Sequence, residues 1–163
     1  MKTTDHMTSD IIISDCEPRY FDAFRALNAA WISKYFTMEA SDYKVLDNPQ
    51  QYILDNGGHI LVALRDGIVL GVCALLRTPD KEYDYELAKM AVTPEAQGLK
   101  IGYKLGVACI ERAKEMGAVS IYLESNTALV PAISLYRKLG FEEVTGFPTP
   151  YARCNIKMLL RLP

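Results

Sequence analysis

The stretch AVTPEAQGLKIGYKL, residues 91–105, decides the fold of this chain. An apolar, strand-like run over 87–92 ends at a proline, a short polar turn leads to Gly98, and an amphipathic helical pattern follows. A helix N-terminus after such a turn offers unpaired N–H groups to an anion. Neither GxxxxGK[ST] nor the GxGxxG dinucleotide turn is present, so the stretch predicts a phosphate or pyrophosphate site of another kind.

The glycines of this turn and its central lysine each allow two interpretations. Gly98 and Gly102 lie one helical turn apart, and a face without side chains suits either a bound anion or close packing on the sheet. Lys100 stands at the start of the predicted helix, so we expect its φ to be negative. Lys100 and Lys104 repel each other mildly unless a phosphate lies between them. Lys100 is therefore either a phosphate contact or a solvated surface residue.

The remaining pattern predicts an α/β domain on one mixed sheet. Asp66-Gly67 between two apolar runs is a strong hairpin signal. The chain contains no repeat and no Gly/Ser linker, so we expect one domain over residues 1–163. Predicted helices cover 18–34, a short segment around 52–54, 98–116 and 131–139. Predicted strands cover 11–14, 59–64, 68–76, 84–92, 119–123, 141–145 and 156–160.

Composition narrows the function classes. A formal net charge of -2 gives no basic surface for nucleic acid. Four separated cysteines and two histidines do not predict a metal site or a disulfide framework. The polar N-terminus does not read as a signal peptide, and no apolar run approaches the roughly 20 residues of a membrane span. We therefore expect a cytoplasmic protein without a membrane or nucleic-acid partner.

A second segment, YLESNTALVPAISLYRKLGFEEV over 122–144, identifies a family. Together with Gln97 and Gly102 it resembles the GNAT superfamily of N-acetyltransferases, whose coenzyme-binding pattern is (Arg/Gln)-x-x-Gly-x-(Gly/Ala). Lys100 stands where that pattern has its central glycine. The order of predicted elements also matches along nearly the whole chain. The second motif of the superfamily is matched at Asn126, Ala132, Tyr136, Gly140 and Phe141.

The resemblance implies an α/β (α+β) fold with a single GNAT-like domain. Its sheet is mixed and mostly antiparallel, and two central parallel strands, here 87–92 and 119–123, splay apart between flanking helices. Acetyl-CoA (coenzyme A) is the implied co-substrate, and its pantetheine arm lies in the splay. Asn126 has a second interpretation as a helix cap. The residues implied to bind the coenzyme are Met90, Ala91, Val92, Gln97, Gly98, Leu99, Lys100, Ile101, Gly102, Tyr103, Asn126, Ala132 and Tyr136.

Two residues are candidates for the chemistry. The resemblance places Tyr136 beside the coenzyme sulfur as the acid, although it could be a core aromatic. Strand alternation places Glu86 on one face with Ala88, Met90 and Val92, and a carboxylate on that apolar face would have a raised pKa, as a base requires. The family's strand bulge would break this alternation. A salt-bridged Glu86 is the alternative, and Glu124 is a weaker rival for the base.

The sequence indicates the substrate-binding residues less clearly than the coenzyme-binding ones. Aromatic and acidic residues over 31–43, including Glu39, Asp42 and Tyr43, could hold a cationic amine or could form an ordinary core face and loop. Arg153 suits a substrate carboxylate or a surface salt bridge.

We expect transfer to a primary amine of a small molecule or of a protein N-terminus or lysine, and the alternative is a non-catalytic acyl-CoA-binding module. The resemblance is also compatible with a homodimer. The candidate substrate-binding residues are Trp31, Tyr35, Glu86 and Tyr151.

Overall fold

A computed structural model describes residues 10–79, 83–144 and 153–163. Short helical turns at Pro18–Tyr20, Gln50–Leu54 and Pro94–Ala96 connect the longer elements. In the described part of the chain, no helix is long and apolar enough to cross a membrane. The helices are α1 (Phe21–Tyr35), α2 (Ala40–Asp47), α3 (Ile101–Glu115) and α4 (Val130–Leu139). The strands are β1 (Ile12–Asp15), β2 (His59–Arg65), β3 (Ile68–Arg77), β4 (Tyr85–Val92), β5 (Ser120–Ser125), β6 (Glu142–Val144) and β7 (Ile156–Arg161).

The sequence predicted every strand and three of the four described helices. Helix α2 was missed because only Asp42 and Leu46 are buried in it, so it has no apolar stripe to detect. A capping box starts it instead, in which the backbone N–H of Glu39 donates to Asp42 Oδ2 at 2.8 Å. Helix α3 begins at Ile101 rather than at Gly98, which leaves the glycine in the turn before it.

The sheet has the order β1-β2-β3-β4-β5-β7-β6. Its first four strands are antiparallel, as are β5, β7 and β6, and the two halves meet at the parallel pair β4–β5. That pair is short, because it joins only Tyr85 to Ile121 and Glu86 to Tyr122. Beyond Glu86 the two strands separate, which confirms the splay implied by the resemblance.

A bulge at Lys89 changes the face of the last residues of β4. Lys89 has a φ of +55°, and the register with β3 shifts next to it. Past the bulge, Met90 and Val92 pack on the same core as Tyr85 and Leu87. The simple alternation that grouped Met90 and Val92 with Glu86 is therefore wrong, because one extra residue inverts the faces of a strand.

Two apolar cores lie on opposite faces of the sheet. Since both faces are covered, the splay between β4 and β5 is walled by helices from both sides. The first core, beneath α3 and α4, includes Leu105, Cys109, Ile121, Phe141 and Met158. The second, beneath α1, includes Phe24, Ile32, Leu46, Ile53 and Val62.

Candidate active site

Two cavities meet where β4 and β5 separate. The first, which we call the splay cleft, has an empty volume of about 710 Å³ and is lined by residues 86–90 of β4, by Glu124 of β5 and by Arg153. The second, the turn groove, runs from β4 to the start of α3 along α4 and has an empty volume of about 1000 Å³. Trp31, Met90 and Tyr136 line both cavities, so the two spaces meet at these side chains.

The turn before α3 presents a row of amide N–H groups. Within the described residues, the backbone N–H groups of Gly98 and of 100–103 have no hydrogen-bond acceptor. Some of them are the unpaired donors of the first helical turn, and Gly98 adds a left-handed φ of +89°. Successive N–H groups in such a turn form a concavity that suits an anion, and the helix dipole adds to the attraction.

Lys100 corrects one expectation about this turn. Its φ is +60° and its ψ is 31°, in the left-handed region, although we expected a negative φ. The expectation failed because α3 starts at Ile101 rather than at Gly98, which leaves Lys100 outside the helix as the residue that turns the chain into it. The superfamily pattern has glycine at this position because glycine adopts a left-handed backbone without strain. Lysine adopts the same backbone at a cost of about 1–2 kcal/mol.

Replacing Lys100 by glycine is expected to stabilise the protein by about 0.5–1 kcal/mol relative to Lys100→Ala. Glycine removes the left-handed strain, although its own flexibility offsets about half of the gain. Both changes remove the same charge, so urea unfolding of the pair isolates the backbone effect. At Lys104, inside α3, the glycine variant should instead be about 1 kcal/mol less stable than the alanine variant. If Lys100→Ala proved the more stable, Lys100 would not adopt the left-handed conformation in solution.

The structure brings most of the predicted coenzyme-binding residues to one cavity. All but two of them line the turn groove. Asn126 lines the splay cleft instead, and Leu99 lines neither cavity and is 37% exposed. Asn126 Nδ2 donates to the carbonyl of Arg153 at 2.7 Å, and its Oδ1 accepts from the N–H of Ala128 at 2.8 Å. Asn126 therefore caps the turn over 126–129 rather than α4 itself, whose N-cap is Leu129. A coenzyme contact by Asn126 stays a prediction.

Glu86 is the last residue of β4 that pairs with β5, and its side chain lines the splay cleft. The Tyr122 hydroxyl donates a hydrogen bond to Glu86 Oε1 at 3.2 Å. Burial, and next the negative charge of Glu124, raise the pKa of Glu86 to about 7, while the bond from Tyr122 lowers it. Near neutral pH the carboxylate therefore exchanges a proton readily, which is the property required of a general base.

Tyr136 lies at the junction of the two cavities on α4. Its ring meets Phe141 edge-on at a centroid distance of 6.3 Å, and its hydroxyl has no hydrogen-bond partner among the described residues. Burial raises the pKa of Tyr136 above its ordinary value, so the phenol keeps its proton at neutral pH. A hydroxyl in this position can donate to a group that enters from either cavity.

The predicted substrate residues do not all come together. Trp31 lines both cavities, and Tyr35 lies beside it at a centroid distance of 5.2 Å, 48% exposed. Tyr151 lies outside the described residues. The proposed acidic wall for a cationic amine is wrong for Asp42, which is fully buried and already paired with cations. Tyr43 lines neither the splay cleft nor the turn groove.

A buried ion network behind the splay cleft was missed by the sequence reasoning. Asp42 accepts two hydrogen bonds from the guanidinium of Arg153 and one from Lys89 Nζ, all at 2.7 Å. Arg153 also donates to Glu39 at 3.0 Å. Lys89 is 5% exposed and Asp42 is 0% exposed. The one available signal was a lysine in an apolar strand, because a buried ammonium requires a partner.

This network ties three distant parts of the chain together. Asp42 lies 47 positions from Lys89 and 111 positions from Arg153. Burial alone would raise the pKa of the Asp42 carboxyl, but hydrogen bonds from Arg153 and Lys89 outweigh it and hold the pKa well below its usual range. Helix α2 is thereby fastened to the bulge of β4 and to the segment that enters β7.

Comparison with known proteins establishes the family. A family model described as "Acetyltransferase (GNAT) family" matches residues 23–141, which include β4, the turn, α3 and α4. The chain belongs to this family. An uncharacterized N-acetyltransferase of Escherichia coli, YjgM, is 33% identical over 120 residues, which are 72% of each chain. The GNAT protein described here is accordingly an N-acetyltransferase by family.

Solved structures of GNAT proteins share the fold. An acetyltransferase of the GNAT family from Staphylococcus aureus Mu50 superposes with a TM-score of 0.83 at 24% identity, covering 94% of this chain and 100% of that one. A putative acetyltransferase from Salmonella typhimurium, solved with its cofactor acetyl-CoA, gives a TM-score of 0.73 at 20% identity and covers 95% of both chains. The mixed, splayed sheet expected from the sequence is thus confirmed as the GNAT fold.

Proposed function

We propose that this GNAT protein transfers the acetyl group of acetyl-CoA to a primary amine by direct attack of the amine on the thioester. The observation that carries the proposal is the junction at Tyr136. There a groove that ends in an anion-binding turn opens into a cleft that holds a carboxylate with a pKa of about 7, Glu86. Glu86 and Tyr136, the base and the proton donor of this proposal, both line the splay cleft.

The turn groove fits the coenzyme. The N–H groups of Gly98 and of 100–103 would hold the pyrophosphate, and the free edge of β4 over 90–92 would pair with the amides of the pantetheine arm. Gly102 keeps the groove open, because a Cβ there would lie 3.2 Å from Leu135 Cδ2 and 3.5 Å from Met90 Sδ. The residues present therefore suit an extended, phosphate-bearing ligand.

Glu86 and Tyr136 divide the proton transfers. An ammonium has no lone pair, so the amine must lose a proton before it attacks, and the Glu86 carboxylate accepts that proton directly or through water. As the carbon–sulfur bond breaks, negative charge builds on sulfur. The Tyr136 hydroxyl donates a hydrogen bond to it, which stabilises the thiolate as it leaves.

Replacing Glu86 by glutamine is expected to lower kcat/KM by about 10²- to 10⁴-fold and to abolish the acidic limb of its pH profile. In the wild type this limb falls as the pH drops through about 7, because protonation of Glu86 removes the base. The measurement is kcat/KM against pH with two amines, an alkylamine and phenylalaninamide. The amine of the acceptor has a pKa of about 10 in the first case and about 8 in the second. The inflection caused by the acceptor therefore moves between the two pH profiles, whereas the inflection caused by Glu86 does not.

Glu124→Gln is the matched control for Glu86. Removal of its charge lowers the pKa of Glu86, so the limb should move to lower pH and persist. Loss of the limb in Glu124→Gln, together with its survival in Glu86→Gln, would assign the base to Glu124.

Thiol release from acetyl-CoA over a panel of amines, together with calorimetry, tests the function as a whole. Release that depends on both the amine and the protein supports the proposal. Tight binding of acetyl-CoA without release for any amine would instead support the non-catalytic acyl-CoA-binding module. A single domain over 1–163, a cytoplasmic location and compatibility with a homodimer stay predictions from the sequence.

A further inference from the structure

A third cavity extends the splay cleft away from the coenzyme side. This apolar groove, with an empty volume of about 620 Å³, lies between the C-terminal end of α1 and the N-terminal start of α4. None of the described residues that line it is charged. Trp31, Phe36 and Leu129 line both this groove and the splay cleft, so a molecule in the cleft can continue into the groove without crossing a polar barrier.

The groove has an aromatic wall that is partly open to solvent. Trp31 packs against Tyr35 at a centroid distance of 5.2 Å and against Phe36 at 6.4 Å, in tilted geometries. Tyr35 is 48% exposed although it faces this apolar surface. A ligand group that covers the wall would gain from apolar burial and from offset or edge-on ring packing.

The charges of the splay cleft restrict what else the ligand can carry. Two cations line it in the part of the chain that the structure describes, Lys89 and Arg153. Both bind the carboxylate of Asp42, and Arg153 also binds Glu39. A carboxylate on the acceptor would have to replace these partners and would lie near Glu86. An amine without a neighbouring carboxylate meets no such opposition.

We infer that the acceptor is an apolar amine, with an aryl or branched alkyl group in the apolar groove and no carboxylate next to the amine. The amine nitrogen then lies in the splay cleft near Glu86, and the apolar group rests on Trp31 and Leu129. This inference rests on the proposed function and names its substrate class.

Three amines test the inference: 2-phenylethylamine, phenylalanine and ethylamine, each with acetyl-CoA and thiol detection. Phenylalanine adds only a carboxylate to the first amine, and ethylamine lacks only the ring. We expect kcat/KM for 2-phenylethylamine to exceed that for ethylamine by at least about tenfold, the discrimination that apolar contacts in a pocket give. It should exceed that for phenylalanine at least about as much, because the phenylalanine carboxylate would meet cations already paired with Asp42 and would lie near Glu86. Equal or faster turnover of phenylalanine or ethylamine overturns the inference.

A matched pair of variants locates the effect. Leu129→Ser removes an apolar side chain from the groove, and serine is a favoured residue at the N-cap position that Leu129 occupies, so the start of α4 is preserved. Val130→Ser is the control, because Val130 is 65% exposed and lines none of the described cavities. The kcat/KM ratio of 2-phenylethylamine to ethylamine should fall about tenfold in Leu129→Ser only.

The possible failures are distinguishable. An unchanged ratio in Leu129→Ser, or an equal fall in Val130→Ser, overturns the groove assignment while amine turnover still supports the proposed function. No thiol release from these three amines, in a protein that releases thiol with other amines of the panel, overturns this inference alone. No release with any amine of the panel, in a protein that binds acetyl-CoA, contradicts the proposed function as well.

Discussion

Asp42→Asn is expected to lower the free energy of unfolding by about 3–5 kcal/mol, the usual cost of removing one partner of a buried ion pair. The substitution keeps the size of the side chain but removes the charge that balances Arg153 and Lys89, of which Lys89 is only 5% exposed. The desolvated ammonium then loses its carboxylate. The shift of the urea unfolding midpoint, at an unchanged m-value, measures the loss.

Asp47→Asn is the matched control in the same helix. Asp47 pairs with Arg25 at 2.6 Å, but both side chains are 44% exposed, so its loss should cost at most about 1 kcal/mol. If the two variants lost equal stability, or if Asp42→Asn stayed within about 1 kcal/mol of the wild type, the network would not stabilise the fold as the geometry indicates.

The pH dependence of stability gives a second test of the Asp42 network. The folded-state pKa of Asp42 lies below that of an unfolded aspartate, about 3.9. Its contribution is therefore fully present above that value and is lost as the pH falls toward the folded-state pKa. Asp42→Asn should show a flatter decline in this acidic range than the wild type. A decline as steep as that of the wild type would show that other carboxylates cause it.

Tyr136→Phe is expected to lower kcat by about 10²-fold or more while the KM for acetyl-CoA stays the same. Phenylalanine retains the ring that packs against Phe141, so the fold and the wall of the turn groove persist. Only the hydroxyl that donates to the leaving sulfur is lost. Steady-state kinetics with acetyl-CoA varied at a saturating amine concentration separate the two parameters.

Tyr43→Phe controls for the loss of a tyrosine hydroxyl. Tyr43 is 45% exposed and lines none of the three described cavities, so its hydroxyl should not affect turnover. Wild-type kcat in Tyr136→Phe would show that the sulfur receives its proton from water or from another residue. A rise in the KM for acetyl-CoA without a change in kcat would make Tyr136 a binding residue instead.

Local patterns predicted most of the fold and much of the candidate site. The Asp66-Gly67 hairpin and the ends of the helices predicted over 98–116 and 131–139, each followed by a glycine, follow from backbone preferences of a few neighbouring residues, and the structure has them. Because the turn proposed to bind the coenzyme is one contiguous stretch, most of its predicted residues also line one cavity. Glu86 was a candidate base for a similar reason, since a carboxylate in an apolar strand is visible in the sequence.

Other features depend on contacts between distant residues. The resemblance implied a bulge in β4, and the structure confirms it, but its place at Lys89 is set by the pairing with β3. The pKa of Glu86 depends on Glu124 and Tyr122, which the β4–β5 pairing brings near. Arg153 cannot be assigned to a substrate or to Asp42 from spacing alone.

The sequence by itself determined the order of the elements, the turn for which anion binding is proposed, and the family, because each is encoded in short runs of neighbouring residues. Only the tertiary structure decided the left-handed Lys100, the network around Asp42 and the apolar groove beside Trp31. The physical reason is that a backbone conformation at a junction, a buried charge and a cavity wall are set by groups that are far apart in the chain and meet only after folding.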